Sequence, residues 1–182
     1  MALRFTTSYL EDSVSLFRFY KKLADGAIAQ VPDERLTWAP GEETNSIAVI
    51  VKHLAGNMRS RWTGFPESDG EKPDRDRDDE FENPPADRAA LLKLWEDGWE
   101  CAFAALEKLS DADLERATPI RGEMHSVMQA VNRQLAHYAY HCGQIVLVAR
   151  LCTGEHWKTL TIPRGQSKQF AERVKSGQAS QR

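Results

Sequence analysis

"RQLAHYAYHCGQIVLVAR", residues 133–150, places two histidines, His137 and His141, four apart in a segment that otherwise reads as a helix bound for a core. Together with the residues just before it, Val127, Val131, Tyr138, Cys142 and Ile145 recur three, four or seven apart and make one apolar stripe. His141 falls inside one border of that stripe, and His137 lies just beyond it, near Gln144. A buried imidazole is a polar group that needs a partner. Residues i and i+4 leave a helix on the same face one turn apart, so both rings can reach a single ion. The same spacing also occurs on solvated helix faces, so the pair alone leaves a metal site and a polar surface both open.

Three more segments carry helical periodicity. Residues 7–24 repeat apolar side chains at Leu10, Val14, Phe17, Tyr20 and Ala24. "NSIAVIVKHLAGNMRSRW" opens on Asn45 or Ser46 as cap, with a stripe of Ile47, Ile50, Val51, Leu54 and Met58 and with His53 at its edge. Residues 87–109 alternate spacings of four and three through Leu91, Trp95, Gly98, Ala102, Ala105 and Leu109. Ser126 caps the last helix, which ends before Gly154. No segment reads as a strand and no repeat is present. The pattern is all-α, a four-helix bundle in one domain over residues 1–170, with residues 171–182 a polar, disordered tail.

Between the second and third helices lies "TGFPESDGEKPDRDRDDEFENPPAD", with no apolar period. A structureless connection this long needs a reason. A 20-residue helix is about 30 Å long, and a linker of this size can run back along it. The third helix then lies parallel to the second, giving an up-down-down-up order; the alternative is a disordered insert. The charge run at residues 74–82 reads as a solvated loop.

A net charge of −3, from 24 basic and 27 acidic side chains with no basic stripe, gives no reason to expect nucleic acid as partner. No apolar run of roughly 18 residues points to a membrane span. The early acidic residues and the lack of a small-residue cleavage pattern argue against a signal peptide. Cys101, Cys142 and Cys152, an odd count without a CxxC pair, read as reduced thiols of a cytoplasmic protein.

If the second and fourth helices are neighbours, His53 joins His137 and His141. Three neutral imidazoles with an open fourth position resemble catalytic zinc sites more than closed structural ones, and the same set takes nickel, cobalt or copper. The glutamate of HExxH is absent, so a zinc-protease reading fails.

"NSIAVIVKHLAGNMRSRW", with its mid-helix histidine, and "RQLAHYAYHCGQIVLVAR", with HxxxH followed by GQI, together resemble the DinB-like superfamily. That group includes metal-dependent hydrolases of the YfiT type, bacillithiol S-transferases and mycothiol-dependent maleylpyruvate isomerases. "DGEKPDRDRDDEFE", "RGEMHSVMQAVNRQ" and "WKTLTIPRGQS" are similar to a bacterial subgroup without assigned function, and the likeness spans residues 5–170. Residue by residue it implies His53, His137 and His141 as ligands of a divalent ion, zinc or nickel. It also implies the parallel second and third helices and a homodimer, with which five Trp and seven Phe are compatible. The activity it favours is transfer of a low-molecular-weight thiol to an electrophilic small molecule. A metal-dependent hydrolase and a non-catalytic metal-binding bundle of a stress response are the alternatives.

Other residues read more plainly. Gln144, one turn past His141, is a candidate acceptor for a ligating ring. His125 reads as a loop histidine and His156 as a packing or surface residue. Cys142 reads as a small core residue, and Trp62, Trp95, Trp99 and Tyr138 as core or interface aromatics. Glu155 and Asp97 have nothing that places them near the histidines. Arg121, Lys158 and Arg164 are cations able to meet an anionic substrate, with plain solvation as the default. In "HWKTLTIPRGQSKQF", Trp157, Leu160 and Ile162 are apolar enough to dock on the bundle, either walling the metal cleft or only covering apolar surface.

Overall fold

The computed structural model describes residues 3–85 and 87–180. Four long helices share one apolar core: α1 (Tyr9–Ile28), α2 (Ile47–Trp62), α3 (Arg88–Leu106) and α4 (Val127–Thr153). Each opens on a side chain that accepts a backbone N–H of its first turn: Ser8, Ser46, Asp87 and Ser126. A cap of this kind contributes about 1 kcal/mol. Ser126 closes a full capping box with Gln129. Gly154, at φ +55°, ends α4 where the sequence predicts. α1 runs past residue 24 to Ile28 because Ala27 and Ile28 are fully buried, a continuation that the glycine at position 26 hides.

The core centres on Phe17, whose ring meets those of Trp62, Trp99 and Tyr138 at centroid distances of 5.6–6.4 Å. Gly98 lets α3 approach α2: a Cβ there would stand 3.0 Å from Ala55 Cα. Partners run in opposite order along α1 and α3, from Arg18 with Glu107 through Lys21 with Glu96 to the Ile28 carbonyl with Arg88. They run in the same order along α1 and α4, Tyr9 meeting Asn132 and Phe17 meeting Tyr138. Along α2 and α3, Ala55 faces Gly98, and Met58 and Thr63 face Cys101.

The long connection after α2 is built against that helix. Ser60 donates to the Gly70 carbonyl, Gly56 faces Glu80, and Lys52 reaches Asp79 and the carbonyl of Glu82. The chain thus runs back along α2, as its length suggests.

The sequence predicts no strand, and here the structure differs. β1 (Ala117–Ile120) and β2 (Glu123–Ser126) form an antiparallel hairpin, Ala117 opposite Ser126. Its two-residue turn, Arg121 at φ +56° and Gly122 at φ +77°, is a tight hairpin connection. Four-residue strands interrupted by Pro119 carry too little alternation to be recognised. After α4 the chain folds onto the C-terminal end of α1: Leu160 meets Gly26, and Gln30 exchanges hydrogen bonds with the Lys158 backbone. A turn forms at Pro163–Gly165, with Gly165 at φ +80°. α5 (Ser167–Lys175) crosses the boundary at residue 170 where the sequence places the start of the tail. Among the described residues no helix is long and apolar enough to cross a membrane.

Candidate metal centre

α2 and α4 meet through polar residues spaced four apart. α2 contributes His53, Asn57 and Arg61; α4 contributes Arg133, His137 and His141. One ring nitrogen of each histidine lies within 4.8 Å of the others. His53 Nε2 and His137 Nε2 are 3.2 Å apart. Bonds of about 2.0–2.1 Å to a tetrahedral ion separate two ligand nitrogens by about 3.3–3.4 Å, so this pair fits one ion.

The outer nitrogens are fixed. His53 Nδ1 donates to Glu80 Oε2 at 2.9 Å, and His141 Nδ1 donates to Gln144 Oε1 at 2.7 Å. Both rings thus turn Nε2 inward, the arrangement of ligating histidines oriented by a carboxylate or amide. Glu80 is 5% exposed and is also gripped by Arg75, from Nε at 2.7 Å and Nη2 at 2.9 Å. Burial pushes the Glu80 carboxyl upward, but the bonds from His53 and Arg75 outweigh it and leave its pKa below the usual value. Phe81 stacks on the His53 ring at 4.8 Å.

Burial, with the neighbouring His141, His53, Arg75 and Arg133, lowers the His137 pKa to about 3. Burial and His53 lower that of His141 to about 4, against an opposing bond from Gln144. Both rings are neutral at pH 7, the form that binds a cation.

Of the residues singled out in the sequence, His53, His137 and His141 come together and Gln144 orients one of them. His125 lies in β2 against the Glu123 carbonyl, and His156 is exposed after α4. Burial pushes the Cys142 thiol up to about 12, as suits a core residue. Trp62, Trp95, Trp99 and Tyr138 are all core. Lys158 and Arg164 sit on the segment that docks on α1, and no described hydrogen bond or ion pair joins that segment to the histidines. Arg121 does reach the site's flank, through Glu71.

The sequence reading missed Glu80 and Arg75, which fall in the run taken as a solvated loop. That run is instead the wall that holds His53, and Arg75 and Glu80 are buried in it. The one signal was Phe81, an aromatic inside a stretch of charge.

Residues 4–166 match the family model described as "Protein of unknown function (DUF1572)". Among solved structures, the fold is similar to that of a DinB-like protein, YjoA, from Bacillus subtilis, with TM-score 0.62 and 18% identity over 81% of this chain and 96% of that one. It is similar too to a DinB-like protein from Bacillus cereus ATCC 10987, with TM-score 0.60 and 12% identity over 81% and 94%. No curated protein matches the chain. The histidine triad thus sits on a fold shared with those two DinB-like proteins, and the chain belongs to the DUF1572 family.

Proposed function

We propose that His53, His137 and His141 bind a divalent ion, zinc or nickel, and that the protein transfers a low-molecular-weight thiol to an electrophilic small molecule. The observation that carries the reading is the convergence of three imidazoles within 4.8 Å, two with their outer nitrogens tied to Glu80 and Gln144. Three protein ligands leave a coordination position for a reactant. An ion held there supplies the charge that makes a thiol a thiolate at neutral pH.

The chain's own groups favour thiol transfer over hydrolysis. Hydrolysis profits from a carboxylate free to take a proton from water. Glu80, the carboxylate bonded to His53, is committed to three hydrogen bonds and has a lowered pKa, so it positions that ring and is a poor base. A thiol, with an ordinary pKa of about 8.5, needs less help to ionise than water does.

The order of helix partners described above supports an up-down-down-up four-helix bundle with α2 and α3 parallel, formed by one domain. Tyr140, Leu147 and Leu151, exposed at spacings of seven and four along α4, support a homodimer.

The test is metal analysis of the purified protein, then a conjugation screen of glutathione, bacillithiol and mycothiol against a chromogenic electrophile. Chelator-sensitive conjugation supports the reading. Metal binding without conjugation by any of the three thiols counts against thiol transfer while leaving the site standing.

A further inference from the structure

Beside His53 and His137 lies a cavity of about 160 Å³ that five arginines help to line: Arg61, Arg75, Arg77, Arg121 and Arg133. At roughly 30 Å³ per water, it has room for a carboxylate or phosphate group. The nearby carboxylates are already engaged. Glu80 binds Arg75 and His53, Glu71 binds Arg77 and Arg121, and Asp69 accepts the backbone N–H groups of Glu71, Arg121 and Gly122. Positive charge is left in excess at the cavity.

Arg61 is the decisive residue. It is 3% exposed, yet its Nε and Nη1 have no hydrogen-bond partner. Among the described residues five buried side-chain polar atoms lack a partner, and four of them belong to cavity-lining Arg61, Arg75 and Gln134. A buried guanidinium whose N–H groups are left without hydrogen-bond acceptors is destabilising. Burial, with the charges of Arg133 and Arg75, lowers the Arg61 pKa against the opposing effects of Tyr138 and Glu71. The chain makes room for it all the same: a Cβ on Gly70 would fall 2.1 Å from Arg61 Nη1.

We propose that this cavity is an oxyanion subsite, in which Arg61, Arg75 and Arg133 hold a carboxylate or phosphate of the substrate while its reacting part faces the histidines. The substrate class is then a small organic acid or phosphate ester whose acidic group lies close to the reacting atom. This deepens the metal-dependent reading and rests on it for the second half of the site alone. Guanidinium forks match both oxyanions, through paired charge-assisted hydrogen bonds.

The experiment measures anion binding on metal-free, full-length protein, and metal binding on the same preparation. Inorganic phosphate and acetate are titrated by calorimetry and by thermal shift, against sodium chloride at equal ionic strength. Saturable binding of either probe is expected, the stronger one telling tetrahedral from planar recognition. Arg61→Met removes the unpaired cation and should leave the melting temperature of the anion-free protein equal or higher while weakening the probe at least tenfold. Arg133→Ala, at an exposed position that cannot threaten the fold, should weaken it at least threefold. The proposal is overturned if neither probe binds beyond chloride, or if Arg133→Ala binds like the wild type and Arg61→Met either does the same or fails to fold. Anion binding without metal binding would sink the metal reading alone, and metal binding without anion binding this proposal alone.

Discussion

Replacing Gly56 by alanine tests whether Glu80 positions His53. Gly56 lies in the middle of α2, where alanine ordinarily adds about 1 kcal/mol of stability. Here a Cβ would stand 2.3 Å from Glu80 Oε1 and 2.8 Å from its Cδ. The backbone of α2 has little freedom to retreat, because Ala55 is already packed against Gly98 of α3. The carboxylate must move, and it is held by bonds of 2.7 and 2.9 Å from Arg75 and 2.9 Å from His53. Breaking a buried ion pair of this kind costs about 3–5 kcal/mol. Set against the gain in helix propensity, the net loss is about 2–4 kcal/mol, a fall in Tm of roughly 4–16 °C for a domain of this size. Metal affinity should fall about 10–100-fold with all three imidazoles present, as when a group that orients a ligand is lost. Urea unfolding of the metal-free protein and chelator competition read the two effects. An alanine variant more stable than the wild type, with unchanged metal affinity, would refute the reasoning.

Other outcomes follow from the same geometry. His53→Ala, His137→Ala and His141→Ala should each lower divalent-metal affinity by orders of magnitude, and His125→Ala should not; equal metal content in all four variants would defeat the assignment. His137 and His141 have folded pKa values near 3 and 4, below the ordinary 6.5, so the unfolded chain takes up protons first as the pH falls. Their contribution is therefore complete above about pH 6.5 and is lost as the pH falls from there through 4 towards 3. Thermal melts of the metal-free protein should show this loss, and it should shrink in the His137→Ala, His141→Ala double variant; an unchanged profile would remove the histidines as its cause. Light scattering at micromolar concentration should give twice the 20.6 kDa chain mass, and Leu147→Arg should shift it towards the monomer. A wild-type monomer would exclude the α4 stripe as an interface.

The helices that carry the candidate ligands are the legible part of the chain. Val127, Val131, Tyr138, Cys142 and Ile145 share one side of α4 whatever packs against it, so the faces of His137 and His141 follow from the helical repeat alone. That α2 is their neighbour does not follow from periodicity, and it entered through the resemblance. Glu80 and Arg75 were illegible for a different reason. They lie in a segment with no repeat, and their burial depends on the path of that segment along α2, which is set by contacts such as Lys52 with Asp79 and Ser60 with the Gly70 carbonyl. Arg61 was passed over because arginine at the end of a helix usually extends its guanidinium into water. Here Gly70 and the returning chain close over it. The hairpin was missed because a buried Thr118 and Ile120 on either side of a proline give no alternation long enough to read.

The polar groups of α2 and α4 run as a seam along one side of the apolar core, and Tyr138 marks the border between the two. Its ring packs on Phe17 and Trp99, while its hydroxyl accepts from Trp62 Nε1 at 2.9 Å and donates to Asn57 Oδ1 at 3.1 Å. Asn57 stands one turn from His53 and one from Arg61, so that single hydroxyl ties the seam to the core. The seam lowers the stability of the empty fold: its imidazoles are desolvated and one guanidinium lies buried without a partner. A chain selected only for a stable fold would place apolar residues at positions 53, 61 and 137, which border the core. His, Arg and His at these positions are what a site demands and a core does not. The Phe17, Trp62, Trp99 and Tyr138 cluster offsets that loss, each aromatic pair adding about 0.5–1.5 kcal/mol beyond its buried area. Stability and chemistry thus occupy adjoining sides of α2 and α4, and the hydroxyl of Tyr138 is where they meet.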